Sequence, residues 1–100
     1  GLTRAPSRLV SPPRVKESPV NFECRLSQLI QLEGADGTKA ETWLVLGEVV
    51  LVHIDPAFIA DGVYETAKAR PILRAGRSGD YAEIRPDAMF HMTRPGWPIE

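Results

Sequence analysis

Thr42-Trp43-Leu44-Val45-Leu46-Gly47-Glu48-Val49-Val50-Leu51-Val52-His53-Ile54 is almost continuously apolar and rich in β-branched residues. Branching at Cβ crowds a helix and suits a pleated strand. A helix is the rival reading, but the four valines, the interior Gly47 and a turn signal just upstream favour one long strand, with Gly47 marking a bulge or bend. An antiparallel strand in an open sheet normally shows water one of its faces. Neither face is polar here, so one is expected in a barrel or sandwich core and the other against a helix or a second subunit. Asp55-Pro56 ends the run.

Upstream lies Gly34-Ala35-Asp36-Gly37-Thr38-Lys39, in which Asp-Gly supplies the positive φ of a hairpin turn. Before it, Val20, Phe22, Cys24, Leu26, Ile30 and Leu32 alternate with Asn21, Glu23, Arg25, Ser27 and Gln31, and only Gln28 and Leu29 break the period of two. That pattern predicts a strand with one wet face, Cys24 lying on the apolar face as an inert core residue. Residues 1–18 form a different kind of segment. Pro6, Pro12 and Pro13, together with Pro19, keep it extended and out of a sheet centre, with Leu9, Val10 and Val15 for docking. Arg4, Arg8, Arg14 and Lys16 precede the first acid, Glu17, so a basic arm for phosphate or RNA is the alternative, without aromatic residues to support it.

Downstream, Phe58 to Gly62 reads as a turn and Tyr64 to Ala69 as at most two helical turns before Pro71. Arg70 to Ile84 holds two short extended pieces around a glycine-bracketed loop, and Met89-Phe90-His91-Met92 is expected to add a last strand. The expected organisation is therefore an arm over 1–18, a β domain over 19–94 and a tail over 95–100.

Composition narrows the function classes. Twelve basic and 13 acidic residues in 100 give a net charge of -1, which removes the phosphate attraction of a dedicated nucleic-acid binder. No apolar run approaches the roughly 18 to 20 residues of a membrane span. One cysteine cannot form an intramolecular disulfide, and no signal-peptide pattern opens the chain, so a reduced, cytoplasmic protein is expected. The start Gly1-Leu2-Thr3-Arg4 lacks an initiator Met, and a longer gene product is expected.

Phosphate-loop, dinucleotide-fingerprint, CxxC, HExxH and GxSxG motifs are absent. Ser78 has no histidine near it in sequence, and His53 and His91 lie far from Cys24. The local feature with most chemistry is Gly76-Arg77-Ser78-Gly79. Two glycines let successive N–H groups converge on an anion, with Arg74 and Arg77 adding charge and Ser78 a hydroxyl. A plain turn between strands, or an RNA-binding GxxG loop, would carry the same letters. His53 and Asp55, two residues apart, form half of a metal site or else a strand-end histidine bonding a carbonyl. Trp43 and Tyr81 pack, or stack on a planar ligand.

Taken in order, Phe22-Glu23-Cys24-Arg25-Leu26, Leu44-Val45-Leu46-Gly47-Glu48-Val49-Val50 running on to His53-Ile54-Asp55, and Arg70-Pro71-Ile72-Leu73-Arg74-Ala75-Gly76 leading to Tyr81 resemble the flavin reductase-like family of FMN-binding split-barrel proteins. Pro6-Ser7-Arg8-Leu9-Val10 and Pro12-Pro13-Arg14-Val15 look like that family's connection into the second half of its barrel. The resemblance implies a mainly β, antiparallel Greek-key fold with at most one short helix. It covers the C-terminal half of a family domain about twice as long as this chain, the remainder preceding Gly1. It further implies a homodimer with FMN, or alternatively FAD, at the subunit interface, NADH or NADPH as hydride donor, and a partner monooxygenase that receives reduced flavin. The residues it points to are Arg74, Gly76, Arg77, Ser78, Gly79 and Tyr81, with His53 and Arg94 as further cofactor-binding candidates and no catalytic acid–base dyad. Some relatives carry a nicotinamide-associated histidine where this chain has Thr42. The alternative is a non-catalytic flavin-binding or structural β domain of the same fold.

Overall fold

The computed structural model describes residues 1–98. It is mainly β and antiparallel, with one short helix, as expected. It divides into two compact units, Gly1–Asp55 and the residues from Pro56 onward. The arm belongs to the first unit, and the tail is described only to Pro98.

The first unit is dominated by one long hairpin. Its two short strands β1 (Arg4–Ala5) and β2 (Arg14–Val15) pair with each other, so the proline-rich arm folds back on itself instead of running extended throughout. Strands β3 (Val20–Glu33) and β4 (Lys39–Ile54) then form a ladder from Val20 opposite Ile54 to Glu33 opposite Lys39. The tip is built as its letters require. Gly37 adopts φ +83°, Thr38 N–H donates to Asp36 Oδ1 at 2.9 Å, and Gly34 N–H donates to Thr38 O at 2.8 Å.

The register shifts between Glu23 and Cys24, between Leu26 and Gln28, and between Gln31 and Glu33. Gly47, opposite Leu26, sits at the second shift, where a Cβ would stand 3.1 Å from Cys24 Cβ. The sheet thus bends where a side chain would collide, as the glycine predicted.

The second unit consists of small pieces. After a 3₁₀ turn at Pro56–Phe58, β5 (Ile59–Ala60) and β6 (Val63–Tyr64) pair across Asp61-Gly62, both at positive φ. Helix α1 (Thr66–Ala69) is a single turn ended by Arg70 at φ 55°, because Pro71 disfavours a helical residue before it. Strands β7 (Ile72–Arg74) and β8 (Tyr81–Glu83) flank the glycine-bracketed loop. The strand expected at Met89–Met92 is absent: these residues pair with no strand and follow a 3₁₀ turn at Pro86–Ala88. A three-apolar run without a neighbouring edge has nothing to complete its backbone hydrogen bonds.

Among the described residues no apolar side chain is buried. The hairpin is apolar on both faces of its outer half. Leu29 pairs with Val45 on one face beside Trp43, and Ile30 pairs with Leu44 on the other beside Leu46. The need for cover on both sides, predicted from β4 alone, is a property of the folded ladder, whose large apolar side chains in this half are exposed among the described residues. No helix among the described residues is long and apolar enough to cross a membrane.

Candidate functional site

The loop between β7 and β8 is organised by Arg74. The pairing of Arg74 with Tyr81 puts both side chains on one face, and the guanidinium carbon lies 5.1 Å from the Tyr81 ring centroid. The same guanidinium donates to the carbonyls of Gly76 and Arg77, and to Asp80 O at 2.7 Å. Arg74 therefore points its charge at the loop's own backbone. Ala75 N–H closes the loop on Asp80 O at 2.9 Å, and Asp80 N–H reaches Gly76 O at 3.3 Å. Gly76 and Arg77 take positive φ, 92° and 50°. None of the described hydrogen bonds uses the N–H groups of Arg77, Ser78 or Gly79, so these remain available to an outside acceptor. Arg77 is exposed, its Nε 3.9 Å from Asp80. Behind the loop, Arg70 is ion-paired to Glu83 on β8.

Arg94 lies with its guanidinium carbon 5.1 Å from the Trp97 ring centroid, beside a cavity of about 210 Å³ that His91, Met92, Thr93 and Pro98 also line. His53 belongs to the other unit. There it lines a polar cavity of about 290 Å³ with Arg14, Lys16, Ser18, Asn21 and Asp55. The structure therefore gathers Arg74, Gly76, Arg77, Ser78, Gly79 and Tyr81 in one hairpin loop, and places His53 and Arg94 elsewhere.

Three expectations are corrected in the first unit. Cys24, expected in a core, is exposed, and Glu23, expected on the wet face, is the buried residue at 1% exposure. The cause is the arm. Arg8 N–H donates to both Glu23 oxygens at 3.1 and 3.0 Å, and Leu9 N–H donates to Oε1 at 2.7 Å. His53, expected to bond a carbonyl or a metal, instead sets Nε2 2.5 Å from Glu23 Oε2. Among the described residues no group of three or more His, Cys, Asp or Glu is placed to hold a metal ion. Burial works to raise the Glu23 pKa, but hydrogen bonds from Arg8 N–H, His53 and Leu9 N–H outweigh it and bring the value down to about 2. Alternation along β3 could not reveal this. The only hint was a run of N–H groups in the arm that needed an acceptor.

No protein-family model matches the chain. It is 35% identical over 97 residues to an uncharacterized protein of Halalkalibacterium halodurans, covering 95% of this chain and 44% of that protein. It is 32% identical over 79 residues to an uncharacterized protein of Aquifex aeolicus, covering 76% of this chain and 36% of that one. The chain thus spans less than half the length of these relatives. Among solved structures, the crystal structure of nitrilotriacetate monooxygenase component B from Bacillus cereus matches with a TM-score of 0.76 and 30% identity, over 91% of this chain and 44% of that one. In sequence and in fold, the chain is similar to a stretch that makes up less than half of a monooxygenase component.

Proposed function

We propose that this chain is part of an FMN-dependent NAD(P)H oxidoreductase of the flavin reductase type, which works as a homodimer and passes reduced flavin to a partner monooxygenase. The observation that carries the reading is the fold shared over 91% of the chain with a protein that is itself one component of a monooxygenase. An enzyme divided into components needs one of them to deliver reducing equivalents, and the sequence resemblance to flavin reductases names the chemistry of that component.

The residues of the β7–β8 loop suit such a cofactor. Three N–H groups without acceptors, the Ser78 hydroxyl and the exposed Arg77 guanidinium can receive a phosphate. Tyr81, 64% exposed, offers an aromatic surface to a planar ring. Arg74 acts indirectly, holding the loop by the carbonyls of Gly76, Arg77 and Asp80. Hydride transfer is chemistry the flavin supplies when bound, and the chain's share is to bind, orient and stabilise charge. No acid–base dyad is required of it.

The dimer rests on the hairpin, whose two apolar faces cannot both be covered by one neighbouring layer. The test is spectroscopic. The full-length protein should carry visible flavin absorbance, and the colour should bleach on anaerobic addition of NADH or NADPH. A coloured protein that never bleaches would support the alternative, a flavin-binding domain without turnover, and a colourless one that takes up no added FMN would sink both.

A further inference from the structure

Glu23 is the one fully buried side chain among the described residues, and it is a carboxylate. A charge leaves water only where hydrogen bonds replace its hydration. At Glu23 the donors come from far along the chain, Arg8 and Leu9 lying 15 and 14 residues before it and His53 30 residues after it. Most of the arm's other described hydrogen bonds are internal, such as Thr3 N–H to Glu17, Lys16 N–H to Thr3 O, Ser7 Oγ to Pro12 O, and Arg14 Nε to Pro6 O, while at its end Ser18 Oγ donates to Val20 O and Asn21 Nδ2 donates to Ser18 O. The arm is thus a unit braced by its own bonds and its prolines, held to the start of β3 at Ser18 and, through Arg8 and Leu9, to the Glu23 carboxylate.

We propose that Glu23 is a latch: it clasps the arm to the hairpin through two backbone N–H groups and His53 through Nε2, so that arm and imidazole take their places together. With the latch closed, Arg14 and Lys16 stand beside His53, Asn21 and Asp55 around the cavity of about 290 Å³. On the other side, Arg14 and Glu23 line a second cavity of about 330 Å³ with Ser7, Pro12 and Pro13 of the arm. With the latch open, the arm takes Arg14 and Lys16 away and both cavities are dismantled. Of the ionisable groups nearby, His53 from β4 touches the carboxylate, while Arg14 and Lys16 from the arm and Asp55 beyond β4 line the cavity that His53 also lines. The latch does not depend on the flavin reading.

Amide hydrogen exchange on the full-length protein tests it. In the wild type, the Arg8 and Leu9 amides should be protected. Glu23→Leu keeps similar bulk but offers no acceptor to either N–H, and it should speed exchange at both amides at least about tenfold, a change of about 1.4 kcal/mol in opening free energy. Ladder amides beyond Leu26 should be unchanged, and trypsin should cut faster after Arg8 and Arg14. His53→Gln, which spares the carboxylate and its two N–H donors, should give an intermediate effect. In the wild type, protection at Arg8 and Leu9 should fall ahead of that of the ladder as the pH drops from 4.5 toward about 2. Unprotected amides in the wild type, no change in Glu23→Leu, or a loss spread evenly along the ladder would each overturn the latch.

Discussion

Arg74 shows what one planar cation can organise. Its fork meets three carbonyls that a lysine's compact ammonium could not serve at once. Arg74→Lys should therefore loosen the β7–β8 loop by about 1 kcal/mol, seen as roughly five-fold faster exchange at the Ala75 and Asp80 amides. On the proposed function it should weaken FMN binding without changing the order of its reaction with NADH. The residue's importance was legible in the sequence, but its direction was not, because nothing in the letters says whether a guanidinium faces a ligand or the backbone beside it. Carboxylates are used in the same inward manner. Hydrogen bonds from Thr3 hold Glu17 below its usual range, and Thr38 N–H does the same for Asp36. With Glu23, these three groups bind fewer protons when folded than when unfolded. Their stabilisation is complete above the unfolded values, 4.5 for the two glutamates and 3.8 for Asp36, and is lost as the pH falls through the folded values, about 2 for Glu23. Unfolding monitored by tryptophan fluorescence should show stability level above pH 5 and declining steeply below about 4.

At the level of elements, the hairpin was readable because each of its parts obeys a local rule: branched residues in the strands, Asp36-Gly37 at the tip, Gly47 where the backbones crowd. Gly47→Val forces bulk against Cys24, and should lower stability by about 1–3 kcal/mol in a denaturant titration. Gly37→Ala places a Cβ at φ +83°, with open space around it, so its cost of about 1 kcal/mol comes from backbone conformation alone. Elements whose form depends on distant partners were harder to read. The Met89–Met92 segment has strand-like letters and no strand to pair with, whereas Ile59–Ala60 and Val63–Tyr64 pair because Asp61-Gly62 turns the chain between them. Glu23 was hidden for the same reason, since its burial is made by residues 14 and 15 positions earlier.

For the molecule as a whole, the composition promised a core that the described residues do not enclose, and the chain spans less than half the length of the relatives it matches. These 100 residues in isolation should therefore bind a hydrophobic dye strongly and self-associate, as sedimentation would report. In the full-length protein, Val45→Lys puts an ammonium on a face that we propose is covered by the second subunit, and should shift sedimentation from dimer toward monomer. The single thiol offers a gauge of the same question. Cys24 stands uncovered beside Gly47 on a strand whose neighbouring residue grips the arm. Its rate of alkylation, fast in these 100 residues alone and slowed wherever another layer lies over that side of the sheet, would measure, from one chemical label and without a crystal, how far the hairpin is covered.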